Sequence, residues 1–74
     1  MPSSLNMTCS EVVQLVNTQG AVVLSTGPGL FDRYVSTDSY CGSGLAAIAA
    51  WIPTLDSAQC FVGAVCTLPR EGTN

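Results

Sequence analysis

Four cysteines, at positions 9, 41, 60 and 66 of a 74-residue chain, are the residues whose type and spacing most constrain the chemistry. Cysteines ligate zinc, act as reactive thiolates, or pair as disulfides. Structural zinc sites present ligands in close pairs, C-x2-4-C or H-x3-5-H, whereas here 31, 18 and 5 residues separate successive cysteines and the chain has no histidine. A redox or nucleophilic thiolate wants a C-x-x-C partner or neighbouring cations, but the only cations are Arg33 and Arg70. The sulfurs therefore read as two structural disulfides, which implies an oxidising compartment. No metal or cofactor is expected.

Other catalytic constellations are excluded by composition. Without histidine no Ser-His-Asp or Cys-His arrangement can be built, and without lysine there is no Ser-Lys dyad or Schiff base within the chain. The five carboxylates, Glu11, Asp32, Asp38, Asp56 and Glu71, include no spacing that singles out an acid-base pair. Glu11 reads as a cap, Asp32 as a partner for Arg33, Asp56 as a turn residue and Glu71 as part of the tail. Thr26-Gly27-Pro28-Gly29 lacks the frame and the lysine of a phosphate loop and reads as a turn. Asn6-Met7-Thr8 matches a glycosylation sequon but abuts a helix cap, and is read as a chance match. No catalytic residue is assigned.

A chain this short buries only about 60% of its unfolded surface, so the core alone leaves a thin margin and two disulfides supply the difference. With 47% hydrophobic residues it is a globular composition and a single domain. The expected divisions are a flexible lead-in over 1–7, a stapled domain over 8–69 and a flexible tail over 70–74. A net charge of −3 and no lysine exclude a basic patch for nucleic acid and disfavour anionic lipid. The longest apolar run, Leu45 to Ile52, is eight residues, far short of a membrane span. The N-terminal segment has neither a basic nor an apolar region of a signal peptide, which fits a mature form whose signal has been removed, with Met1 an added initiator.

The elements that must position these residues are well marked at first. Thr8-Cys9-Ser10-Glu11 fits a capping box, with Met7 and Val12 as its hydrophobic staple. A helix should begin at Cys9, bury Cys9, Val12, Val13, Leu15 and Val16, and end near Thr18 before Gly20. Ala21 to Leu24 reads as a strand beneath it, and Leu30 to Val35 as a second strand after the Thr26–Gly29 turn. Leu45 to Ile52 fits either a short alanine-rich helix stopped by Pro53 or a strand, with Trp51 to Thr54 extended. Cys60 to Leu68 is a strand.

If residues 60 to 66 are extended, Cys60 and Cys66 lie about 20 Å apart and cannot bond to each other. Two connectivities remain. One joins Cys9 to Cys60 and Cys41 to Cys66, the other Cys9 to Cys66 and Cys41 to Cys60; the first is preferred, and a bend at Gly63 would readmit the third. The fold class is α+β, one N-terminal helix on a three- to four-stranded antiparallel sheet.

Binding is the remaining kind of function. Of the five aromatics, Trp51 and Phe61 are expected mainly in the core, while Tyr34 and Tyr40 are evenly placed between core and surface. Arg33 reads first as a surface partner of Asp32 or Asp38 and second as an anchor for a partner's carboxylate. Arg33, Tyr34, Tyr40 and Trp51 form the candidate binding surface, for an unidentified protein or small ligand.

Gly20-Ala21-Val22-Val23-Leu24-Ser25-Thr26-Gly27, Phe31-Asp32-Arg33-Tyr34-Val35, Trp51-Ile52-Pro53-Thr54-Leu55-Asp56 and Cys60-Phe61-Val62-Gly63 with Cys66 together resemble a group of small exported proteobacterial proteins without assigned function. The resemblance covers most of residues 9–66 and implies export and stapled cysteines. The chain departs from that group after its second cysteine, where a polar, glutamate-containing stretch is replaced by Gly44-Leu45-Ala46-Ala47-Ile48-Ala49-Ala50.

The reading is a non-catalytic binding or structural module of the periplasm or the secreted space, with weak self-association through Leu45–Ile52 as the alternative. Its rivals are a zinc-held cytosolic domain, which chelator would unfold, and a carboxylate enzyme, which would show an acid pair in a cleft.

Overall fold

The computed structural model describes residues 1–69. The expected tail, 70–74, lies outside the described residues. A short 3-10 turn at Ser4–Asn6 precedes helix α1 (Cys9–Gln19), followed by β1 (Ala21–Gly27), β2 (Leu30–Val35), a second 3-10 turn at Asp38–Tyr40, β3 (Ala46–Ile52) and β4 (Cys60–Thr67). The helix starts where the capping box requires: Thr8 Oγ1 accepts the Glu11 N–H at 3.2 Å while a Glu11 carboxylate oxygen accepts the Thr8 N–H at 2.8 Å. It ends at Gly20, whose φ of 79° admits no side chain comfortably and whose N–H reaches the Val16 carbonyl.

The four strands form one antiparallel sheet in the order β1-β2-β4-β3. Two hairpin ladders, β1–β2 and β3–β4, meet only through Tyr34–Val65 and Val35–Ala64, so each overhangs the other. The α+β class and the helix-on-sheet architecture are as expected, with four strands. Leu45–Ile52 resolves as strand, because its alanines gain a full ladder against β4 from Ala46–Thr67 to Ile52–Cys60. A bulge places the extra residue, Val62, on β4 between the Trp51–Phe61 and Ala50–Gly63 pairs. Gly63 there has φ 132°, and a Cβ on it would collide with the Val35 carbonyl oxygen.

One face of the sheet carries the core. Val12 and Val16 of α1 are fully buried against Leu24, Tyr34, Ala50, Ile52, Cys60 and Val62. Each buried valine contributes about 1.5–3 kcal/mol relative to exposure. The Cys9–Cys60 disulfide ties the first turn of α1 to the start of β4, and Cys41–Cys66 ties the β2–β3 connection to its end. That is the preferred pairing, with the Cα atoms 5.5 and 5.4 Å apart.

The lead-in makes specific contacts with the domain. Ser4 is fully buried and its hydroxyl donates to the Pro53 carbonyl at 2.7 Å, while the Ser25 N–H bonds Pro2 O and Ser3 bridges Ser25 in parallel. The segment thereby runs along the outer edge of β1. No periodicity marks it, since its partners are 22 or more positions away.

Candidate functional site

Because directly opposed residues share a face, the register fixes what looks away from α1: Ala21, Val23, Ser25, Phe31, Arg33 and Val35 on the β1–β2 ladder, and Ala47, Ala49, Trp51, Phe61, Ala64 and Cys66 on the β3–β4 ladder. Val35 is nonetheless fully buried. Three anchors hold the β2–β3 connection that follows it: Ser36 N–H to Gly20 O at 2.8 Å, the Arg33 guanidinium to Tyr40 O at 3.3 Å, and the Cys41–Cys66 bond. The Tyr40 ring rests against Gly20, where any Cβ would overlap it.

Beyond that connection the outer face is open. Trp51 and Phe61, directly opposed on β3 and β4, are 57% and 54% exposed, with ring centroids 5.3 Å apart and planes tilted by 48°. The pair lies on the overhanging part of the β3–β4 ladder, past the end of β2, and alanines 47, 49 and 64 continue the apolar surface alongside it. A tilted pair of this kind contributes about 0.5–1.5 kcal/mol to its hairpin while leaving both ring faces largely wet. This corrects the expectation that both rings fill the core. The bulge at Val62 sends Cys60 and Val62 inward and Phe61 outward, and the small Ala50 and Gly63 leave Val16 the inner space.

The proposed binding surface of Arg33, Tyr34, Tyr40 and Trp51 is not brought together. Tyr34 is buried in the core, paired between Val22 and Val65, and burial with the neighbouring Asp32 charge raises its hydroxyl above the ordinary value, against a lowering hydrogen bond from Thr26. Arg33 pairs with neither expected aspartate through its guanidinium, which donates to the Tyr40 carbonyl; its backbone N–H donates to the Asp32 carboxylate at 2.8 Å. Arg33 and Tyr40 thus anchor the β2–β3 connection, and Trp51 stands with Phe61.

Asp56, read as a turn residue, does more than close a turn. Its Oδ1 accepts the Cys9 N–H at 2.8 Å and the Thr54 hydroxyl at 3.1 Å, so the β3–β4 loop caps the first turn of α1. The Cys9 N–H, then the Thr54 hydroxyl, hold its carboxyl below the ordinary value. This use of the carboxylate spans 47 residues and had no local signal.

An open, shallow groove along α1 is lined by Met7, Glu11, Gln14, Leu15 and Thr18. Its one carboxylate belongs to the capping box, so no acid pair converges there. Among the described residues, no group of three or more His, Cys, Asp or Glu is placed to hold a metal ion, and no helix is long and apolar enough to cross a membrane. The two disulfides are compatible with an oxidising extracellular compartment. No family model matches this chain, and no characterised protein or solved structure is similar to it at a significant level.

Proposed function

We propose that this chain is a non-catalytic, exported binding module that recognises an apolar or aromatic segment of another polypeptide on the outer face of β3–β4. The observation that carries the reading is the exposed Trp51–Phe61 pair on a disulfide-stapled sheet, where large rings are kept out of the core at a fixed geometry. Aromatic side chains held rigidly at a surface lose little entropy on contact and dominate recognition energetics. The two disulfides, which persist in an oxidising compartment, and the resemblance to small exported proteins support placement in the periplasm or the secreted space.

Selection of a displayed random peptide library on the immobilised oxidised protein tests this. Peptides with apolar or aromatic side chains should be enriched on the wild type and should lose binding to Trp51→Ser. Failure to enrich any peptide, or binders indifferent to Trp51→Ser and Phe61→Ser, would overturn it.

A further inference from the structure

The two edges of the sheet are treated differently. The β1 edge is accompanied by the N-terminal segment, through Ser25 N–H to Pro2 O and the Ser3–Ser25 bridge. The β3 edge has no such companion: apart from its ladder to β4, no residue from Ala46 to Ile52 takes part in any backbone or side-chain hydrogen bond among the described residues. The helix packs chiefly over β1, β2 and β4; on the inner side of β3, Ala50 and Ile52 join the core while Ile48 stays exposed. Edge strands are usually blunted by lysine, proline, a bulge or a covering loop. Here the strand is Ala-Ala-Ile-Ala-Ala-Trp-Ile, uncharged, and the bulge lies on β4, so β3 itself stays regular.

The geometry points to a second copy of this chain as the occupant of the β3 edge, paired antiparallel about a two-fold axis at Ala49 to make one continuous eight-stranded sheet. An antiparallel two-fold at Ala49 sets Ala47 opposite Trp51 of the second copy, Ile48 opposite Ala50, and Ala49 opposite Ala49. Every large side chain from 47 to 51 then faces an alanine, on both faces of the sheet, so the strand is complementary in size to itself. Shifting the centre by one residue to Ile48 would put Ile48 against Ile48, and shifting it to Ala50 would put Ile48 against Ile52. No charge lies on either strand, so net charges of −3 are not brought together at the seam. Both Trp51–Phe61 pairs fall on the same face of the joined sheet, their tryptophans about 14 Å apart along the strand direction.

A seven-residue edge is smaller than a standard interface, and the dimer forms with a Kd of about 10–100 µM. The inference goes beyond the peptide-binding reading and stands without it. Sedimentation velocity of the oxidised protein between roughly 5 µM and 500 µM should show a monomer passing to a dimer. Ala49 is exposed and faces outward, so Ala49→Lys and Ala49→Glu leave the core intact, which protection of all four cysteines from alkylation verifies. Each variant alone should associate about tenfold more weakly, because like charges meet at the axis, and an equimolar mixture should recover a heterodimer. A wild type that stays monomeric throughout, or charged variants that associate as the wild type does, would overturn the inference. Trp51-dependent peptide binding by such a monomer would separate its failure from that of the proposed function.

Discussion

The rings of Trp51 and Phe61 face each other across β3 and β4 at 5.3 Å, on the side of the sheet that α1 does not cover. In a chain of 74 residues, four of five aromatics, Phe31, Tyr40, Trp51 and Phe61, are exposed and only Tyr34 fills a core that needs apolar volume. Serine substitutions made singly and together should leave the fold standing and give a coupling energy of about 0.5–1.5 kcal/mol between the rings in urea unfolding, on top of the covered apolar area that each ring loses. A coupling well above that range would mean that the pair is structural.

Gly63 is required by both backbone and space. With φ 132° and the Val35 carbonyl where a Cβ would go, Gly63→Ala should destabilise by at least about 1–3 kcal/mol from backbone strain alone. The control is Gly29→Ala: φ is 71° there, but no atom lies within 4 Å of the added carbon, so only strain is felt. Equal losses in the two variants, by thermal or urea unfolding, would deny the close approach of β2 to β4.

Asp56 should give the fold a specific acid sensitivity. Its native carboxyl is held below the ordinary 3.8 by the Cys9 N–H and the Thr54 hydroxyl, so its contribution is fully present above 3.8. That contribution is lost as pH falls below 3.8 through the lowered native value. Asp56→Asn keeps an oxygen for Cys9 but does not titrate, so its unfolding free energy should vary less with pH below about 4 than the wild type's. Parallel pH profiles for the two proteins would remove Asp56 from the cap.

The disulfides close loops of unequal length, with sequence separations of 51 and 25. Intact mass without reductant should lie about 4 Da below the four-thiol value, with no cysteine alkylated under denaturing conditions. Replacing either pair should cost about 2–5 kcal/mol, with the Cys9–Cys60 pair dearer by about 0.6 kcal/mol from loop entropy. Peptide mapping that joins Cys60 to Cys66 would contradict the strand assignment of β4, and mapping that joins Cys9 to Cys66 would contradict the docking of the first turn of α1 at the start of β4.

What was legible in the sequence is what local chemistry decides. The Thr8–Glu11 box, the Gly20 stop and the Thr26–Gly29 turn each act within a few residues, and α1, β1 and β2 follow from them. An extended 60–66 holds its two sulfurs apart and so removes one of the three cysteine connectivities, while the choice between the other two rests on where α1 docks on β4, which no local signal gives. Leu45–Ile52 was ambiguous because four alanines favour helix as much as strand, and only the ladder to β4 decides. The faces of β3 were illegible for the same reason: apolar residues occupy both, so no alternation tells Trp51 from Ile52. Asp56 and Ser4 act over 47 and 49 residues, a distance at which side-chain type alone carries no address.

The most direct test of the account is an amide chemical-shift map of the oxidised protein titrated with a library-selected peptide. The account predicts perturbations centred on Ala47, Ala49, Trp51, Phe61 and Ala64. Perturbations centred instead on the groove of Met7, Glu11, Gln14, Leu15 and Thr18 would contradict it, because recognition would then belong to the helix and not to the aromatic face of the sheet.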